Sequence, residues 1–168
     1  MKIPFKSNDV VYTMYSYIKN EDYDALLIEK LLREVNIKEI SLKELRMLYI
    51  TVLDIQSHFI EKSKAASNLN LEKFTKNLSN FTIEIEALIR KNLQNFHIID
   101  LISILENVDK YRRPFSIKSL GQLIASTDQL EGELSIRGFE IVANILAQNN
   151  LPIPTPLINL IFTLILKK

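Results

Sequence analysis

The chain has 168 residues, of which 47% are apolar and 24% charged, and carries a net charge of +1 at pH 7. That length is enough to bury a substantial core, and the ordinary apolar and charged fractions exclude a disordered or fibrous chain. With no cysteine and two histidines, His58 and His97, disulfides and thiolate metal sites are excluded, and any zinc site would need carboxylates or a partner to complete it.

Three glycines and no Asn-Gly dipeptide leave little material for tight hairpins, so helices are the elements to expect. Residues 1–93 hold 14 Lys/Arg against 13 Asp/Glu, and residues 94–168 hold 7 of each. Neither part has the strongly basic balance that drives free-standing nucleic-acid binding. The opening segment Met1–Asp9 has no long apolar run and no Arg-rich, acid-free pattern, so neither a secretory signal nor an ordinary organelle presequence is expected there.

Taken in order, the chain repeats one hydrophobic skeleton. Anchors Phe5, Ile40, Phe96 and Leu134 each precede apolar positions at offsets of five, eight, nine and twelve. These are Val10, Thr13, Met14, Tyr17; Leu45, Leu48, Tyr49, Val52; Leu101, Ile104, Leu105, Val108; and Phe139, Val142, Ala143, Leu146. Relative spacing of 0, 3, 4 and 7 is one stripe of an α-helix, and Thr13 alone breaks its apolar character. Ser7, Ser41 and Ser135 stand where N-caps belong, and Ser41-Leu-Lys-Glu44 reads as a capping box. Asp9, Glu44 and Asp100 follow in first turns, where the helix dipole favours an anion.

Each first helix is expected to turn back into a second. Hairpin 5–35 supplies Ile28, Leu31, Leu32 and Val35 after a polar loop, and hairpin 134–166 supplies Leu157, Leu160, Ile161 and Leu164. Hairpin 96–126 shifts by one position, with Leu120, Leu123 and Ile124. Hairpin 40–93 departs most. Its first helix runs on to about residue 64, breaks at Ser67–Asn70, and returns as a long helix carrying Leu71, Phe74, Leu78, Phe81, Ile85 and Leu88. A period in the thirties is the mark of stacked helical units. The fold class expected is therefore all-α, an α-solenoid of about four hairpins and about eight helices in a single domain, 1–168.

Chemical motifs are sparse. The chain has no Gly-x-Ser-x-Gly, no phosphate-cradling Gly-rich loop and no His-Glu-x-x-His. His97 and Asp100 share a helix start, where a histidine beside an acid reads as capping detail rather than catalysis. No catalytic residue, cofactor, metal or small-molecule substrate is expected. The positive signal is Lys110-Tyr111-Arg112-Arg113 with Lys118 close behind, four cations at a hairpin loop with Tyr111 and Phe115 interleaved. Guanidinium forks suit phosphate and tyrosine offers a surface for stacking an unpaired base. The competing reading is a solvated loop paired with Asp109 and Glu106. Near the C-terminus, Leu157–Leu166 is apolar on almost every side but too short to cross a bilayer. Ile158, Phe162 and Ile165 lie off its packing stripe, so a protein contact is expected there.

The segments Phe96–Ile124 and Leu134–Leu164, with Phe5–Val35, resemble the heptatricopeptide-type helical hairpins of FAST-kinase-like and RAP-domain organelle proteins. No RAP domain follows them in this sequence. The resemblance implies a mitochondrial location and a role with RNA, as a subunit of a ribonucleoprotein such as a mitochondrial ribosome. The partners expected are other protein subunits covering the C-terminal helix, and RNA, ribosomal RNA included. The alternative expectation is a protein-only adaptor or structural subunit, mitochondrial or cytoplasmic.

Overall fold

The computed structural model describes residues 6–21, 23–65, 69–130 and 134–166. Among the described residues there are eight α-helices and no strand, and the chain is all-α. In order these are α1 (Ser7–Lys19), α2 (Ala25–Glu34), α3 (Leu42–Ala65), α4 (Leu69–Asn92), α5 (Ile98–Lys110), α6 (Ile117–Ala125), α7 (Ile136–Gln148) and α8 (Thr155–Leu166), with a short 3-10 turn over Leu93–Asn95. The chain divides into two compact units, Met1–Asn92 and Leu93–Lys168. In the first, α1 packs on α2 and α3, and α3 on α4. In the second, the α7/α8 hairpin lies on the α5/α6 hairpin, with α5 against α7 and α6 against both α7 and α8.

Helix starts follow local hydrogen-bond supply. The Ser41 hydroxyl accepts from the Glu44 N–H at 3.3 Å and the Glu44 carboxylate accepts from the Ser41 N–H at 2.8 Å, closing the capping box. The Ser135 Oγ accepts from Gly138 N–H at 3.1 Å. Ser7 departs from expectation. Lys6 holds the N-cap position, and the Ser7 Oγ accepts instead from the Asn36 N–H at 2.9 Å. The chain leaving α2 brings a free donor back to the start of α1, and the serine satisfies it. Asp24, whose carboxylate accepts from Leu26 and Leu27 N–H, caps α2, and Ser116 caps α6.

The stripe forms the core. Val10 and Met14 are buried, as are Leu45, Leu48, Tyr49 and Val52, then Leu101, Ile104, Leu105 and Val108, then Val142 and Leu146. Thr13, Tyr17, Phe139 and Ala143 are half-buried. Anchors Phe96 and Leu134 are buried and Ile40 is half-buried, while Phe5 lies outside the described residues. Gly121 allows α6 to approach α7 closely, since a Cβ there would lie 2.9 Å from a methyl of Leu146.

The α3–α4 pair carries what the apolar pattern did not mark. Thr82 and Glu86 are buried on α4 beside Phe74, Leu78, Ile85 and Ile89, whereas Leu71, Phe81 and Leu88 are only half-buried. Tyr49 Oη donates to Glu86 Oε1 at 3.0 Å, and Gln56 Nε2 donates to Ser79 Oγ at 2.8 Å. These two pairs are one heptad apart on each antiparallel helix and hold a single register. Leu105 has no exposed surface, so Leu105→Ala should lower stability by about 2–5 kcal/mol. Urea denaturation reads this as a shifted midpoint with unchanged slope, whereas Leu26→Ala, at a residue 80% exposed, should stay within about 0.5 kcal/mol of the parent.

Candidate nucleic-acid interface

The basic loop is built on the way α5 stops. Arg112 takes a left-handed conformation, φ 49°, with its N–H donating to Asp109 O at 3.2 Å and the Arg113 N–H donating to Val108 O at 2.9 Å. That is the Schellman pattern, usually completed by glycine. The same turn closes α7. Asn150 has φ 56°, its N–H reaches Ala147 O at 3.0 Å, and Leu151 N–H reaches Leu146 O at 2.8 Å. After α1, Glu21 has φ 57° and donates to Ile18 O at 3.0 Å. Each left-handed residue sits 16 positions past its own anchor, Phe5, Phe96 or Leu134. Three hairpins thus share a left-handed residue at one register, and in the second hairpin the matching position is Gln56, inside α3.

Around this turn the structure gathers the cations from two helix ends. Lys110 ends α5, Arg112 and Arg113 form the turn, and Lys118 lies in the first turn of α6, with Ser116 Oγ accepting from the Ser119 N–H at 3.2 Å. Lys110, Arg112 and Lys118 are exposed and Arg113 is half-buried. Arg112 reaches Asp109 at 3.4 Å with its side chain 78% exposed, so the pairing leaves the guanidinium open to solvent. Asp109 also accepts from Asn149 Nδ2 at 2.8 Å, which ties the loop's base to the next hairpin. Tyr111 is half-buried, and the Lys110 ammonium lies over its ring at 4.6 Å from the centroid. One face of the ring offered for base stacking is therefore already taken by the chain's own cation.

His97 is the N-cap of α5, its Nδ1 accepting from Ile99 N–H at 3.4 Å. Asp100 lies half-exposed in the same first turn. Among the described residues, no group of three or more histidine, aspartate or glutamate side chains is placed to hold a metal ion, and no helix is long and apolar enough to cross a membrane. On α8, Ile158, Phe162 and Ile165 are 37%, 59% and 60% exposed.

His58 was not singled out by the sequence pattern. Its ring stacks on Tyr23 with centroids 3.8 Å apart and meets Phe59 edge-on at 5.2 Å. Its Nε2 is buried and has no hydrogen-bond partner. Burial lowers its pKa below the ordinary value, Lys62 adds to the effect, and Glu61 opposes it. The aromatic neighbours hold the neutral ring and exclude the hydration a cation would need.

Two expectations follow from this geometry. Glycine adopts the left-handed conformation without the Cβ penalty of about 1 kcal/mol, so Arg112→Gly should raise stability by about 0.5–1 kcal/mol in denaturant titrations. For His58, the unfolded chain binds the proton more tightly than the folded one. Its contribution is fully present above the unfolded pKa of about 6.5 and is lost as pH falls through the lowered folded value. Thermal midpoints should therefore drop on acidification from about pH 6.5, and His58→Phe should flatten that part of the profile. Compared with known proteins, the chain matches no family, no curated protein and no solved structure.

Proposed function

We propose that this chain is a non-catalytic helical-repeat subunit of a mitochondrial ribonucleoprotein, ribosomal in kind, that contacts RNA through Lys110, Arg112, Arg113 and Lys118. The observation that carries the reading is the presentation of these cations. A hydrogen-bonded turn and two helix ends hold them on one short loop, with Arg112 open to solvent despite its aspartate. Cations clustered on a hydrogen-bonded turn suit a phosphate backbone, where point charges and guanidinium forks replace counterions. Tyr111 carries the Lys110 ammonium on one face of its ring.

A second reading is a protein-only adaptor or structural subunit, mitochondrial or cytoplasmic. The uncovered apolar side chains of α8 favour it. Isolation of the chain with its partners from the source cells, with and without ribonuclease, separates the two. RNA recovered with the chain, with the partners it bridges lost on ribonuclease treatment, supports the ribonucleoprotein, and a set of partners that carries no RNA and is unchanged by ribonuclease supports the adaptor. Organelle fractionation places either one.

RNA affinity should fall steeply with salt, and Arg112→Ala with Arg113→Ala should reduce the slope of log affinity against log salt by roughly one unit per cation removed. Single-stranded RNA and fluorescence anisotropy at several salt concentrations suffice. An unchanged slope rules out the loop as the RNA contact.

A further inference from the structure

Within the second unit the structure contains one complete example of a hairpin covered by its successor. The face of α5 that meets α7 carries Ile98, Ile102, Leu105 and Asp109. The three apolar residues are 0%, 8% and 0% exposed, and Asp109 accepts from Asn149 of the covering hairpin. Ile102 comes so close to α7 that a Cβ on Gly138 would lie 3.4 Å from its terminal methyl. On α6, Gly121 lies against Leu146 of α7 and Ala125 is buried beside it.

The equivalent row on α7, 38 residues on, is Ile136, Glu140, Ala143 and Ala147. Ile136 is 49% exposed, Glu140 and Ala147 are exposed, and Ala143 is half-buried. On α8, Ile158, Phe162, Ile165 and Leu166 rise from 37% to 83% exposed. The positions a successor hairpin covers in the first case are thus uncovered in the second, and their chemistry has changed. Past Ile136 the α7 row is an acid and two alanines, whereas the α8 row is bulky and has no charge.

We infer that the outer faces of α7 and α8 form one docking surface for an amphipathic helical hairpin of a partner polypeptide. That hairpin sets bulky apolar side chains against Ala143 and Ala147 and a Lys or Arg against Glu140. The inference rests on reading the chain as a subunit of a larger assembly. Continuity with the internal hairpin interface gives the geometry, and Glu140 gives the charge. A second copy paired through α8 alone sets no charge opposite Glu140, because the α8 row carries none. Such a pair also leaves the α7 row unused, whereas a hairpin spans both rows.

The chain lacks cysteine, so single substitutions Ala147→Cys and Asn159→Cys can each carry a benzophenone on the full chain. The labelled proteins are irradiated in ribonuclease-treated extract of the source cells, and the adducts are sequenced. The expected result is that both positions label one amphipathic segment of a single different polypeptide, with a basic residue in that segment. Glu140→Lys should cut the yield by about tenfold or more through like-charge contact. Phe162→Glu and Ile165→Lys should do the same without moving the denaturation midpoint, since all three residues are exposed. Arg112→Ala with Arg113→Ala should leave the yield unchanged, which separates this surface from the RNA contact. Adducts only between copies of this chain, adducts to unrelated polypeptides at the two positions, no adduct, or a yield indifferent to Glu140→Lys would each overturn the inference.

Discussion

Every hairpin in this chain depends on one face of its first helix leaving water. A helix of 13 residues, the length of α1, α5 and α7, is marginal in isolation because nucleation costs more than a few hydrogen bonds return. Burial of Leu101, Ile104, Leu105 and Val108 changes that for α5. Each buried aliphatic side chain is worth roughly 1.5–3 kcal/mol before entropy is counted. The second helix and the neighbouring hairpin supply the surfaces that remove this stripe from solvent. The cap must then come one turn before the stripe and the turn shortly after it, which accounts for the shared register of anchors and left-handed residues.

The second hairpin reaches the same end by another route. Where the other three turn, Gln56 continues the helix, and its amide donates to Ser79 while its carbonyl oxygen accepts from Thr82 Oγ1 at 3.3 Å. Thr82 also back-bonds to Leu78 O at 2.8 Å. Buried polar groups are costly unless satisfied, and here the satisfaction comes from the antiparallel partner, which selects one register among the slides that a purely apolar seam would allow. Two helices of 24 residues gain from such a lock more than the short hairpins would.

The surfaces differ in kind. Around the α5–α6 turn, charge is held out by a hydrogen-bonded backbone turn, and Asp109 balances part of it while joining two hairpins. Along α8, apolar side chains face out with no charge among them. By contrast, the hollow along α1 mixes the rings of Tyr12 and Tyr17 with the polar groups of Thr13, Ser16 and Asn20, and Thr13 satisfies itself on Asp9 O at 2.7 Å. A bulky apolar face with no polar groups among its side chains gains by being covered.

The sequence by itself determined helix content, the positions of the eight helices and most of the buried stripe. These follow from spacing along one chain, and 3.6-residue periodicity needs no partner to be read. It also marked the Ser41 and Ser135 caps, because capping is a local bond between near neighbours. Tertiary structure decided the rest. Ser7 serves Asn36, 29 residues away, and Tyr49 finds Glu86, 37 residues away. His58 became a neutral ring against Tyr23, and the Tyr111 ring lies beneath Lys110. The left-handed turns at Glu21, Arg112 and Asn150 were hidden because none is glycine, and only the geometry of the closed helix end demands that conformation there. Polar residues carry no periodic signal of burial, so whether a glutamate or threonine goes inside is settled by which acceptor or donor the fold brings within reach.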